Sequence, residues 1–274
     1  MWRSLIRSLL VLVVVSSLGA GCSGADPSAL RAPAVAQALA VAPDYAGTIW
    51  ETTGGKAYRS SNGGHTWQHV RHSTDDDGVA FGTKYAYLIG DDRSQIGDFG
   101  GLQTAPYRPT PAPFTSVSSP YQKTDRFYAL DRKGRLWVSV LAGHGWTRVR
   151  ARGLPRTGVT VAAVRDLVTR PDIVYVAAGA DGLWRSLDDG ATFHKVPGVS
   201  DVVTAALTTD DQDRVLVAGP GGIWVSNDRG KSFTKVSSRP VTAVALDPRN
   251  ARLAYAGSGH ELLRSVDGGS TWPS

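Results

Sequence analysis

The sequence predicts an all-β fold, a β-propeller of six four-stranded blades with seven the less favoured count, and three observations lead there. The first is a recurring ten-residue pattern: WRSLDDGATF at 184–193 aligns with WVSNDRGKSF at 224–233, and the same pattern returns as RSVDGGSTW at 264–272 and RSSNGGHTW at 59–67. The second is its spacing. A worn copy, WVSVLAGHGW at 137–146, keeps the register, so that Ser139, Ser186, Ser226 and Ser265 stand 47, 40 and 39 residues apart, while the 79 residues from Ser60 to Ser139 hold two units. The third is what fills each period: short apolar runs at strand length with no helical periodicity, as in VTAVAL at 241–246, LAYAG at 253–257 and LLRS at 262–265. A β-sandwich would not explain a pattern returning at blade spacing.

Composition agrees with a turn-rich β protein. Apolar residues make up 42% of the 274, enough for a sizeable core, and the only glutamates are Glu51 and Glu261, every other acid being a turn-favouring aspartate. Net charge is +6, of which Arg3 and Arg7 belong to the leader, leaving about +4 spread over many turns. That pattern is a mixed-charge surface and excludes the concentrated basic element of a nucleic-acid binder.

In chain order, residues 1–21 read as a signal peptide, with Arg3 and Arg7 ahead of the apolar run at 9–15, a run too short to span a bilayer. The segment LGAGCSG at 18–24 resembles a bacterial lipobox around Cys22, the sole cysteine, although Leu18 lies four places before it and Gly19 takes the usual leucine slot. The resemblance implies acylation of Cys22 and anchoring at the outer face of a membrane or in the periplasm; cleavage after Ala25 and secretion is the alternative. Residues 22–35 are a linker, and Leu30 to Val35 is expected to add an outer strand to the last blade, whose own end at Trp272 is short. The propeller occupies 36–274. Its second unit carries no intact pattern, only turn chemistry at 91–101, and the proline-rich stretch at 106–113 reads as a stiff surface connector between the second and third blades.

The repeated pattern, S-x-D-x-G-x-[TS]-[WF], has a structural task at each position. Its instances are Ser60, Asn62, Gly64 and Trp67; Ser186, Asp188, Gly190 and Phe193; Ser226, Asp228, Gly230 and Phe233; and Ser265, Asp267, Gly269 and Trp272. The Asp or Asn accepts backbone N–H groups, the Gly takes a φ other residues resist, the Ser ties the turn down and the aromatic packs between blades. On these residues the chain resembles the Asp-box or BNR-repeat propellers, which include sialidases, sortilin-type receptors and photosystem-assembly factors. Function therefore has to be read from a site, not from the fold.

The resemblance to sialidases implies an arginine triad, a tyrosine paired with a glutamate, and an aspartate. No Arg-Ile-Pro motif is present, residues 36–58 contain no arginine, and Glu51 reads as a rim residue at the end of a second strand. No catalytic residue is identified. The implied ligand face is the one opposite the box turns, and its loops nominate His72, Asp75, Asp76, Asp77, Asp91, Asp92, Asp131 to Lys133, Arg150, Arg152, Arg156, Asp181, His260 and Glu261. The run of three aspartates reads as a solvated turn, or as part of a mixed-charge mouth for a polar ligand. Arg165 and Asp166 interrupt an otherwise apolar first strand and read as an ion pair or a channel-lining contact. The six histidines lack metal-ligand spacing, so no metal and no cofactor is expected. The expected protein is a monomeric, lipid-anchored binding or assembly module for a protein partner or a glycan or other polar ligand, with no nucleic acid; an exo-acting, sialidase-like glycoside hydrolase is the alternative.

Overall fold

The structure is a computed structural model, and it describes residues 28–43, 47–70, 76–81, 85–90, 93–98, 108–120, 126–157, 160–165, 171–208 and 214–273. These form six antiparallel sheets of four strands, the blades of a propeller. From the axis outward, blade 1 is β2 (Ala38–Val41), β3 (Ile49–Thr53), β4 (Lys56–Ser60) and β5 (Gln68–His69). Blade 2 is β6 (Asp76–Phe81), β7 (Tyr85–Gly90), β8 (Arg93–Asp98) and β9 (Arg108–Pro109). In blade 3 the order is β10 (Phe114–Ser118), β11 (Phe127–Asp131), β12 (Leu136–Ser139), β13 (Thr147–Arg148), and in blade 4 it is β14 (Thr160–Arg165), β15 (Asp172–Ala177), β16 (Leu183–Ser186), β17 (His194–Val196). Blade 5 comprises β18 (Thr204–Leu207), β19 (Val215–Gly219), β20 (Gly222–Ser226) and β21 (Thr234–Ser237). Blade 6 takes β22 (Ala243–Asp247), β23 (Asn250–Ser258) and β24 (Glu261–Ser265) from the C-terminal end and β1 (Ser28–Arg31) from the N-terminal end.

The ring is thus closed by β1, which pairs antiparallel with β24 from Ser28↔Arg264 to Arg31↔Glu261. Pro33 lies outside this strand and costs it no ladder hydrogen bond. Two other segments differ from the sequence reading. Arg108 and Pro109 of the proline-rich stretch are the outer strand of blade 2 rather than only a connector, which a proline tolerates at an edge. Asp76 and Asp77 belong to β6, with an irregular register between Asp76 and Gly78, rather than to a turn.

Period-2 alternation explains why the second strands are buried on both faces. Val215 and Val217 face a cluster shared by blades 4 and 5, whereas Leu216 and Ala218, the residues between, face one shared by blades 5 and 6. The same division yields one apolar cluster at each of the six blade contacts among the described residues. Each strand therefore serves two interfaces and has no polar face to offer solvent.

The box turns key one blade to the next. In blade 5, Ser226 Oγ donates to Asp228 Oδ1 at 2.7 Å and accepts the Gly230 N–H at 2.8 Å, while Asp228 Oδ1 accepts the Ser232 N–H at 2.9 Å. Equivalent bonds join Ser60, Asn62, Gly64 and Thr66, then Ser186, Asp188, Gly190 and Thr192, then Ser265, Asp267, Gly269 and Thr271. The worn turn of blade 3 keeps the serine part: Ser139 Oγ accepts the N–H groups of Leu141 and Gly143 at 3.3 and 2.9 Å. Glycine is required at Gly230 twice over, by its φ of +70° and because a Cβ would stand 2.9 Å from the Tyr175 hydroxyl of blade 4. The terminal aromatics pack where the sequence places them, Trp67 between blades 6 and 1, Phe193 between 3 and 4, Phe233 between 4 and 5, and Trp272 between 5 and 6.

Candidate functional site

The central channel is the first place to look for chemistry in a propeller. Here it is narrow, about 160 Å³, because each innermost strand brings small side chains to it, among them Ala40, Ala80, Val117, Ala162, Ala205 and Ala245. Pockets for small organic ligands start at about 300 Å³. The hydroxyls near the axis are engaged in tying blades together: Ser116 Oγ and Ser118 Oγ accept the N–H groups of Val161 and Ala163, each at 3.0 Å. Among the described residues that line it there is no arginine, tyrosine or carboxylate. Nor do three His, Cys, Asp or Glu side chains gather at a metal-sized site among the described residues.

A much larger cleft, about 970 Å³, opens on blade 3 at the loop face. It is bounded by the turn between β11 and β12 on one side and by β13 with the following loop, up to Arg156, on the other. The floor is Leu136, Val149, Ala151 and Leu154, apolar side chains that belong to or pack on the core between blades 3 and 4. Lys133, Arg135, Arg148, Arg150 and Arg156 line it, with no acidic side chain among them.

Its walls are fixed by hydrogen bonds. Asp131 ends β11, buried, and its carboxylate accepts the N–H of Lys133 at 2.9 Å, the N–H of Arg135 at 3.0 Å, Arg135 Nε at 2.6 Å and the Trp137 indole N–H at 3.0 Å. Burial alone would raise this carboxyl; the hydrogen bonds outweigh it and hold the pKa below the usual carboxylate value. Asp131 is therefore charged at neutral pH and neutralises Arg135, whose guanidinium also lies 5.7 Å from the centre of the Trp137 ring. Opposite, the Val149 N–H donates to the Leu136 carbonyl at 2.9 Å, and Arg152 exchanges backbone bonds with Ala191 and Phe193 of blade 4, each 2.9 Å. Gly134 lies so close to the Arg156 backbone that a Cβ would collide with its carbonyl. Thr157 Oγ1 donates to Asp181 Oδ2 at 2.5 Å, fixing the far end of the loop to blade 4.

Against these fixed walls, the side chains of Lys133, Arg148, Arg150 and Arg156 are exposed and form no hydrogen bond or ion pair among the described residues. Four like charges on one rim favour an anionic ligand.

The sequence candidates sort differently. Asp131 is buried and anchors the β11–β12 turn on the loop face, and Asp181 holds a loop. Glu261 is ion-paired with Arg239, and His260, exposed in the adjoining turn, accepts the Ala32 N–H on its carbonyl at 3.0 Å. Arg152 works through its backbone. Arg165 is the last residue of β14, paired in register with Asp172, rather than an interruption of the strand. Cys22, His72, Asp75, Asp91, Asp92 and Asp166 lie outside the described residues. Glu51 is not at the rim: it sits within β3, fully buried, with both carboxyl oxygens unpartnered. A second buried cluster escaped the sequence reading altogether. On the box face between blades 3 and 4, Arg126 Nη1 donates to Tyr128 Oη and Asp172 Oδ2, both at 3.1 Å, and to Asp189 Oδ1 at 2.9 Å, while the Tyr128 hydroxyl donates to Asp172 Oδ2 at 2.7 Å.

No sequence family and no curated protein matches the chain. Similar solved structures include propellers. The GH74 enzyme of Niastella koreensis superposes with a TM-score of 0.60 at 18% identity, covering 85% of this chain and 37% of that one. YCF48 bound to D1 peptide gives 0.57 at 11% identity, covering 88% and 96%, and the RRP9 WD40 repeats give 0.59 at 14%, covering 86% and 77%. The chain therefore has the propeller fold, and it spans little more than a third of that GH74 enzyme. An enzyme, a peptide-bound protein and a set of WD40 repeats share this architecture, so the choice falls to the site.

Proposed function

We propose that this chain is an extracytoplasmic binding or assembly propeller, tethered by lipid on Cys22, that holds an acidic segment of a partner protein in the cleft of blade 3. The observation that carries the reading is the set of four unpaired cations, Lys133, Arg148, Arg150 and Arg156, around an apolar floor. A single-stranded nucleic acid would be expected to stack on aromatic side chains, and none is among the described residues lining the cleft. A segment mixing carboxylates with aliphatic side chains suits both the floor and the rim. YCF48, a propeller of the same length class, has been seen with a peptide bound, which supports the protein-binding reading over the glycan one.

The test uses the intact lipoprotein cross-linked in its membrane fraction and isolated with its partner. Recovery of one protein that is lost on reversing Arg148, Arg150 and Arg156 to glutamate supports the proposal. Equal recovery with both forms contradicts it. Palmitate labelling that disappears in Cys22→Ala tests the anchor.

A further inference from the structure

Glu51 is a buried acid that no part of the cleft uses. Alternation along β3 puts Glu51 on the same face as Ile49, toward blade 6, and its register partners are Leu39 on β2 and Tyr58 on β4. Over this face runs the strap of residues 32–37, which carries the chain from the closing strand β1 to β2. The strap is clipped to both blades: the Ala32 N–H donates to the His260 carbonyl of blade 6 at 3.0 Å, the Gln37 N–H to the Thr52 carbonyl of blade 1 at 2.8 Å, and Thr53 Oγ1 to the Val35 carbonyl at 2.8 Å. It is also packed without slack, since a Cβ on Gly257 would stand 2.8 Å from that of Ala36 and 3.8 Å from Leu39 Cδ1.

Beneath it the carboxyl has no hydrogen bond of good geometry. Among the described residues it has no ion pair. Leu39 and Tyr58 flank it within the sheet, the strap offers the backbone of Ala34, and of the charged residues at the same end of blade 6, Arg239 and Glu261 are paired with each other while Arg31, opposite Glu261 on β1, is exposed. Burial pushes the Glu51 carboxyl up to about 7, with the Ala34 backbone a smaller opposing influence. A buried ionised carboxylate without a partner is among the costliest groups a protein can hold, so ionisation requires water to reach it. The part of the strap that reaches it is the Ala34 backbone.

We propose that Glu51 is a proton-operated latch on the seam where the N-terminal strand closes the ring. Neutral, it lets the strap lie between blades 6 and 1; ionised, it draws water in and releases the strap. The opened form ionises at the ordinary carboxylate value and the closed form higher, so opening becomes easier as pH rises between the two and levels off above the upper one.

Hydrogen exchange of the full chain, corrected for intrinsic rates, reads this directly. Protection of amides 29–38 is expected to fall by about a hundredfold from pH 4.5 to 7 and then level, and at every pH to stay well below that of β15 in blade 4, which opens only with the whole fold. Glu51→Gln is expected to remove the pH dependence. Three results would overturn the latch: strap protection independent of pH in the wild type, the same fall in Glu51→Gln, or strap protection as high as that of β15 at every pH, which would mean that the strap opens only by global unfolding. Should Glu51→Gln fail to fold, the wild-type strap and β15 still decide the question, and Glu51→Leu gives a second pH-silent form.

Discussion

The two faces of this propeller handle charge in opposite ways. On the box face the aspartates are engaged by their own turns. Asp188, Asp228 and Asp267 each accept a serine hydroxyl and backbone N–H groups, and these bonds hold all three pKa values below the usual range, against a desolvation that is the leading influence for Asp188 and Asp267. On the loop face of blade 3, four cations have no such partners. Charge that is satisfied internally builds the molecule; charge left over is available for something else.

Mutations should separate the faces by their effect on stability. The largest loss is expected for Gly230→Ala, about 3 kcal/mol in urea unfolding, because the new Cβ meets Tyr175 at a left-handed φ. Arg126→Met is expected to cost about 2 kcal/mol by leaving Asp172 and Asp189 without their shared cation, the remaining bond from Tyr128 limiting the damage. Ser226→Ala, which orphans the buried N–H of Gly230, should cost about 1 kcal/mol. Arg148→Ser with Arg150→Ser is expected to stay within about 0.5 kcal/mol of wild type. A large loss there would mean that the cleft charges are structural.

Acid and base should sharpen the same contrast. The box aspartates have folded pKa values below their unfolded ones, so their contribution is present above about pH 4 and is lost as pH falls through the folded values. Glu51 has the opposite sign: its folded pKa is raised, so stability is highest below the unfolded value and declines as pH rises toward 7, by on the order of 3 kcal/mol. Thermal melts from pH 3 to 8 should therefore show a maximum on the acid side of neutrality, and Glu51→Gln should flatten the decline above it.

Much of the fold was legible because its signals are local. The box residues, their spacing and the alternating runs each lie within one blade, and they led to six units and to the loop face. What the sequence concealed depends on neighbours distant along the chain. Asp131 looked like a loop acid because Trp137 and Arg135 fold back onto it only across the β11–β12 turn. Glu51 looked like a rim residue because nothing local shows that residues 32–37 cross above it. Arg126, Asp172 and Asp189 meet across a blade interface, from 17 to 63 positions apart. Lys133, Arg150 and Arg156 were visible as loop cations, but their convergence with Arg148 follows from Gly134 permitting the close approach of the Arg156 backbone.

Whether the blade 3 cleft holds an acidic segment is read from affinity as a function of ionic strength. Titrating the full chain with a labelled peptide of alternating glutamate and leucine should give binding that weakens steeply as salt rises and drops at least tenfold in the form carrying Arg148→Glu, Arg150→Glu and Arg156→Glu. Binding that is insensitive to both salt and charge reversal would contradict it.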